Sequence, residues 1–490
     1  MKNPYILSFG AAILAAGSLF GAIRSVTPTI WGGGTNSWQI KRHHTKMNIV
    51  KNGGAKIVFI GDSITHNWES AGKDQLSKYF SEGDMKMLNL GTGGDRTEHV
   101  LWRIKNGELD GYEAKCILLM IGTNNTGHFR NISDEPPMDT ILGIREILKA
   151  IHAKQPNAVV VLTAIFPRGA NENDWARLRN DAVNREIRRF CDGKKIFWCD
   201  FSDRLTDENG DTKFIMNDRL HPGPKGYEIW YEEVKPYIEY ALSDGAKPVP
   251  ANRYSKKKTS FEKQSAGKPA TVTPATRIEG CKVKRPKRGD WWTARMLQKR
   301  NQIKASKGQI DLVFFGDSIT HNWERQGKKS LAELSKTYSI LDIGYGGDRT
   351  QHLIWRGLNG ELDGYKAKCV MLMIGTNNRE PVEDIAKGVR SILDIIAKKQ
   401  PQAKTLLLPI FMRGNNHNDT RRTANEKVNS IIKGYADGEK VIWVDFNSKL
   451  IDANGDTKFI MSDRLHPNAE GYQNIWMPAV LPYFREICGK

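Results

Sequence analysis

Phe59-Ile-Gly-Asp-Ser-Ile-Thr-His-Asn-Trp-Glu69 decides the fold because it occurs twice: Phe315-Gly-Asp-Ser-Ile-Thr-His-Asn-Trp-Glu324 repeats it, behind the same kind of apolar run. An apolar run that breaks at Gly and passes through Asp-Ser into a helical pattern reads as a strand, a turn and a helix start. Further blocks recur in the same order. Gly93-Gly-Asp-Arg-Thr97 matches Gly346-Gly-Asp-Arg-Thr350, Asn106-Gly-Glu-Leu-Asp-Gly-Tyr112 matches Asn359 to Tyr365, and Ile121-Gly-Thr-Asn-Asn125 matches Ile374 to Asn378. Asn209 to Met216 and Asp218-Arg-Leu-His-Pro222 return as Asn454 to Met461 and Asp463 to Pro467. With the copies about 250 residues apart, the repeat unit is a whole domain and not a solenoid turn.

Working outward, apolar runs at Lys56–Ile60, Met85–Leu90, Cys116–Ile121, Ala158–Phe166 and Ile196–Cys199 are expected strands of the first copy. Asp311–Phe315, Tyr338–Ile343, Cys369–Ile374, Lys404–Ile410 and Val441–Val444 are their counterparts. Helical stretches such as Asp139–Lys154 and Val382–Lys399 separate them, which predicts an α/β fold: in each domain a parallel sheet of about five strands with helices on both faces. Ligands bind such sheets at the carboxyl ends of the strands, where the recurring motifs fall.

Those motifs can carry acyl transfer. A serine nucleophile needs a base and a group that orients the base. Ser63 and Ser318 follow the first strands, while Asp218-x-x-His221 and Asp463-x-x-His466 supply both partners from one late loop. Gly94 and Gly347 after the second strands, and Asn124 and Asn377 after the third, are candidate donors to an oxyanion. Each piece alone has a bland reading: helix cap for the serines and asparagines, tight turn for the glycines. His66, His99, His321 and His352 also recur in pairs and are read as pocket lining or core.

Taken together, Gly-Asp-Ser, Leu88-Asn-Leu-Gly-Thr-Gly-Gly-Asp95, Val100-Leu-Trp-Arg103 with Asn-Gly-Glu-Leu, Gly-Thr-Asn-Asn, Arg168-Gly169 and Asp-x-x-His-Pro make the chain resemble the GDSL/SGNH hydrolases. Within them it is most similar to the branch of the platelet-activating factor acetylhydrolase IB catalytic subunits. The resemblance implies a flavodoxin-like three-layer fold and no metal or organic cofactor. It also implies nucleophiles Ser63 and Ser318, bases His221 and His466, orienters Asp218 and Asp463, and oxyanion holes Gly94 with Asn124 and Gly347 with Asn377. The activity it implies is hydrolysis of short acyl esters, acetyl foremost, of a carbohydrate or other alcohol. Alternatives are a lysophospholipase or phospholipid-type acetylhydrolase, a glycan-binding module with one active domain, and a scaffold held by its basic linker. Paired domains within the chain, or a homo-oligomer, are implied because the resembled subunits associate.

The copies differ after Gly-Thr-Asn-Asn, where the first carries eight extra residues. His128, Phe129 and Arg130 there are candidates for reshaping the first pocket. Trp175, aligned with Thr420, is a candidate sugar platform or a packing residue. Trp38 and Trp291-Trp292 predict that each domain opens with a short helix bearing a basic face, its tryptophans in the core.

The net charge of +19 is concentrated: residues 244–288 hold thirteen Lys/Arg against three Asp/Glu, and residues 1–51 hold six basic residues and no acid. Basic tracts beside nearly neutral domains fit a solvated leader and linker and exclude a specific nucleic acid groove. The expected layout is a signal peptide or N-terminal anchor at 1–24, with residues 5–23 apolar, then domains at 36–243 and 289–490 joined by a flexible tether at 244–288. Secretion or an envelope location follows from that leader, with membrane anchoring if it is uncleaved. Six cysteines make no disulfide scaffold in a chain this long, though Cys191 and Cys199, absent from the second copy, could pair.

Overall fold

The computed structural model describes residues 23–32, 37–127, 135–244, 246–278 and 291–489. They form two compact units, dividing at Ala266/Gly267. The expected leader up to Ala22 and the inserted His128, Phe129 and Arg130 lie outside the described residues. No described helix is long and apolar enough to cross a membrane.

In the first unit, strands β1 (Ile57–Gly61), β2 (Met87–Asn89), β3 (Cys116–Met120), β4 (Val159–Thr163) and β5 (Ile196–Cys199) form one parallel sheet in the order β2-β1-β3-β4-β5. The second repeats this with β6 (Leu312–Gly316), β7 (Ile340–Gly344), β8 (Cys369–Met373), β9 (Lys404–Leu407) and β10 (Val441–Trp443). β1, β3 and β4 are buried throughout, because helices cover both faces. Chain direction across the sheet reverses between β1 and β3, and between β6 and β8, opening a crevice at their carboxyl ends.

One face of each sheet carries an aromatic core. Trp68, Tyr227 and Trp230 of the first unit correspond to Trp323, Tyr472 and Trp476 of the second. The hydroxyl of Tyr227 donates to the carbonyl of Ile64 at 2.8 Å, and that of Tyr472 to Ile319 at 2.5 Å, tying the helical segments Pro224–Leu242 and Gly471–Trp476 to the turns that carry the serines. Gly61 must be glycine: a Cβ would lie 2.1 Å from Thr65 Oγ1 and 2.4 Å from the Met120 carbonyl, and Gly316 is as crowded.

Several expectations are corrected. Residues 246–278 are not a featureless tether. Arg253 extends the edge of the first sheet beside β5, exchanging backbone bonds of 2.9 and 3.0 Å with Trp198 and Asp200. Its guanidinium binds Asp203 and Glu233, and a capped helix follows at Ser260–Ser265. From Gly267 the chain belongs to the second unit, where Ala270–Val272 packs on the helices Thr350–Arg356 and Val382–Lys399. This turn corresponds to Arg24–Val26 of the first unit: Thr29 N–H donates to the Glu98 carbonyl, and Ala275 N–H to the Gln351 carbonyl. The opening helices exist, Trp38–Lys51 and Trp291–Ala305, but several of their basic side chains, Arg42, Lys46, Arg295 and Lys299 among them, turn inward, while Lys41 and Lys51 stay exposed. Arg42 binds Glu69 and the Gly91 carbonyl, and Arg295 binds Glu324 and the Gly344 carbonyl. Cys191 and Cys199 are not joined in a disulfide; Cys199 is buried in β5.

Candidate active site

Each serine opens a one-turn helix at the end of the first strand, Ser63–His66 or Ser318–His321. The preceding Asp62 caps that turn, accepting from Ile64 N–H at 3.0 Å, as Asp317 does from Ile319 at 2.9 Å. Both aspartates are fully buried, and burial pushes their carboxyls up to about 7.

Across the crevice, the loop after β5 returns Asp218 and His221. Ser63 Oγ lies 2.8 Å from His221 Nε2, and His221 Nδ1 lies 2.6 Å from Asp218 Oδ2. In the second unit the same distances are 2.9 Å from Ser318 to His466 and 2.6 Å from His466 to Asp463. The aspartates are anchored through their other oxygen: Asp218 Oδ1 accepts from the backbone of Leu220 and His221, and Asp463 Oδ1 from Leu465 and His466. Burial acts to raise both carboxyls, but these amides and the imidazoles outweigh it and hold them below the usual range. Arg219 and Arg464, at the centre of each Asp-x-x-His, sit at positive φ (59° and 57°), a strained conformation steadied by ion pairs to Asp211 and Asp456.

Gly94 and Gly347 occupy left-handed backbone, φ 79° and 74°. The amide of Asn124 donates to the carbonyl of Asp95 at 2.8 Å, and that of Asn377 to Asp348 at 2.9 Å, so each asparagine is tied to the residue after its glycine. One amide hydrogen is used there and a second remains. Beneath this loop lies a buried ionic layer. Arg103 binds both Asp95 and Glu108, and Arg356 binds both Asp348 and Glu361. The recurring Trp-Arg and Asn-Gly-Glu-Leu blocks are therefore the support of the glycine loop.

Other residues form the walls of the site. The Arg168 guanidinium donates to Thr123 Oγ1 at 3.1 Å beside Asn124, and Arg413 donates to Thr376 Oγ1 at 3.2 Å. Trp38 is 49% exposed, so it is no core residue; it stacks on His66 and lies over Gly93. Trp291 stacks likewise on His321, while Trp292 is buried. Burial first, and Arg42 or Arg295 next, push His66 and His321 down to about 4, so both are neutral near pH 7. His99 and His352 accept from the backbone N–H of Arg96 and Arg349 and so help cap their helices. Trp175 is 43% exposed and presses on Gly127, four residues after Thr123.

Trp31 and Arg277 hold equivalent places over the two glycine loops. Trp31 Nε1 donates to Asp95 Oδ1 at 2.7 Å, and Arg277 Nη1 to Asp348 Oδ1 at 3.0 Å. A Cβ on Gly94 would lie 3.0 Å from the Trp31 ring, and one on Gly347 would lie 3.5 Å from the Arg277 guanidinium. Among the described residues no group of three or more His, Cys, Asp or Glu could hold a metal ion.

The profile of the GDSL-like Lipase/Acylhydrolase family matches residues 59–229 and again 314–473. A curated relative, platelet-activating factor acetylhydrolase IB subunit alpha2 of Rattus norvegicus, is 34% identical over 171 residues, 34% of this chain and 73% of its own. Subunit alpha1 of Pongo abelii is 29% identical over 216 residues, 44% of this chain and 87% of its own. A solved structure described as a putative platelet activating factor from Streptococcus pneumonia is 23% identical, covers 41% of this chain and 90% of its own, and superposes with a TM-score of 0.33. With both halves matched, this chain belongs to the GDSL-like lipase/acylhydrolase family and is a tandem ester hydrolase.

Proposed function

We propose that each domain is a complete serine esterase that removes short acyl groups, acetyl foremost, from a carbohydrate or similar alcohol. The observation that carries this reading is the continuous Ser–His–Asp contact in both units, 2.8 and 2.6 Å in the first and 2.9 and 2.6 Å in the second.

In this mechanism the aspartate holds the imidazole with its proton on Nδ1, leaving Nε2 to take the serine proton. Ser63 or Ser318 attacks the ester carbonyl. The developing oxyanion is met by backbone N–H groups of the serine and of Gly94 or Gly347, and by the spare amide hydrogen of Asn124 or Asn377. The imidazolium then protonates the departing alcohol. Water, deprotonated by the same histidine, hydrolyses the acyl-serine, so atoms and protons balance over the cycle. Acetyl is favoured because the curated relatives are named acetylhydrolases. A sugar alcohol is favoured by the exposed Trp38 beside the serine turn, an aromatic face on which a ring can stack.

The test is hydrolysis of p-nitrophenyl acetate, butyrate and octanoate by the chain and by Ser63→Ala, Ser318→Ala and the double variant. Each single variant should keep one domain's chain-length profile, and the double variant should lose at least about a thousandfold. Activity surviving in the double variant would overturn the assignment of the nucleophiles.

A further inference from the structure

The two sites share their reacting groups, so a difference in what they accept must come from the walls. At the position facing the oxyanion glycine, the first domain has Trp31 and the second has Arg277. The equivalence is fixed by the backbone: each lies two residues beyond a residue, Thr29 or Ala275, whose N–H donates to the first turn of the helix after the second strand, at Glu98 of Thr97–Arg103 or Gln351 of Thr350–Arg356. Both are anchored to the same buried aspartate, Asp95 or Asp348.

What they present differs. The Trp31 indole stacks on His99 with ring centroids 4.2 Å apart and puts an uncharged ring edge against Gly94. Arg277 spends only Nη1 on Asp348 and on the Gly346 carbonyl, the latter at 2.7 Å. Its guanidinium carbon lies 5.4 Å from the Trp291 ring centroid, and about a third of the side chain is exposed. A Cβ on Gly346 would be 3.9 Å from Ser318 Cβ, so the carbonyl that Arg277 grips belongs to a residue touching the nucleophile. The guanidinium therefore borders the wall beside Ser318. The change from Trp31 to Arg277 adds one full positive charge at that point, and Arg421 stands where the first domain has the buried Ala176.

We propose that the second domain takes esters that carry a carboxylate close to the scissile carbonyl, recognised by Arg277, whereas the first takes neutral esters against Trp31. The inference rests on the esterase reading above and adds the substrate class that divides its two sites. The carboxylate can lie on the acyl side, as in a succinyl ester, or on the alcohol side, as in an acetylated uronic acid unit. Guanidinium–carboxylate pairing is the chemistry common to both.

Full-length Ser63→Ala chain isolates the second site and Ser318→Ala the first. Each is assayed on p-nitrophenyl acetate against mono-p-nitrophenyl succinate, and on acetylated methyl xyloside against acetylated methyl glucuronoside. In the Ser63→Ala chain, one anionic probe should exceed its neutral partner in kcat/KM by about tenfold, mainly through KM, and the ratio should shrink as salt rises. Whichever pair responds locates the carboxylate. Arg277→Trp, which installs the residue the first domain uses, should abolish the ratio and Arg277→Lys should keep most of it. Trp31→Arg in the Ser318→Ala chain should create one. Equal rates on both pairs in the Ser63→Ala chain, or a ratio that survives Arg277→Trp, would overturn the proposal while leaving the esterase intact. A Ser63→Ala chain inert toward all four probes would instead sink the esterase reading of the second domain, and the proposal with it.

Discussion

The first and second domains agree to within about 0.1 Å in their Ser–His and His–Asp distances yet differ in the residue laid over Gly94 or Gly347, in the sequence of the loop after Asn124 or Asn377, and in one buried polar side chain of the second strand. Duplication thus preserved what chemistry needs and left the walls and the support free to vary. Reaction type belongs to the strand ends, whereas selectivity and stability belong to what packs around them.

The comparison can be broken most sharply at the shared part. Asn124→Ala in the Ser318→Ala chain and Asn377→Ala in the Ser63→Ala chain should each lower kcat by about a hundredfold to a thousandfold, the effect of removing one oxyanion donor. Steady-state kinetics on p-nitrophenyl acetate checks this, and a large effect in one domain only would show that the two holes are not equivalent.

A second difference sharpens the comparison through pH. Asn89 of the first domain donates its amide to the carbonyls of Thr65 and His66, and its oxygen accepts from Gly91 N–H. The second domain has Asp342 there, accepting from Gly344 N–H at 2.7 Å and fully buried, and burial pushes its carboxyl up to about 7 against the pull of Arg295 and Lys299. A carboxyl whose folded pKa exceeds its unfolded value holds its proton more tightly when folded. Its burial therefore costs nothing below about pH 4 and destabilises progressively as pH rises through 7. Asp62 and Asp317 impose this on both domains; Asp342 imposes it on the second alone. Asp342→Asn should stabilise the second domain at pH 8 by a few kcal/mol, at roughly 1.4 kcal/mol per pKa unit, with little effect at pH 4. Calorimetry at the two pH values checks it; equal effects at both would rule out a buried acid.

The smallest expected effect concerns the glycines. Gly94→Ala and Gly347→Ala both meet left-handed backbone, at about 1–2 kcal/mol. Only Gly94→Ala also presses on a ring 3.0 Å away, whereas Gly347→Ala meets a guanidinium at 3.5 Å that can shift. The first domain should accordingly lose more stability and activity, measurable by thermal melts and by kinetics in the single-serine backgrounds.

Much of this was legible in the chain. Nine of the ten strands lie within two residues of the apolar runs at both ends or start with them, since buried parallel strands are nearly continuous in Val, Ile, Leu and Phe. The residues in contact at the serines come from motifs spaced over 158 and 148 residues, readable because each motif recurs intact. Trp31 and Arg277 were not readable: each sits in irregular chain, 64 or 71 residues from the aspartate it grips, and their backbone register matches while the side chains do not. The inward basic face of Trp38–Lys51 was hidden because its partner Glu69 lies on another element. Arg253 joins the sheet through its backbone, which leaves no pattern of side chains to read.

That same Arg253 bridge bears on how the protein can be dissected. A fragment stopped at 243 would uncover the open rim of β5 and strip Asp203 of its Arg253 guanidinium, offering unpaired amides and carbonyls to any neighbouring chain. A fragment begun at 289 would strip Arg277 from the second pocket and the Ala270–Val272 turn from its flank. Cutting between Ala266 and Gly267 spares both, so self-association of the isolated halves depends on where the scissors fall as much as on the halves themselves.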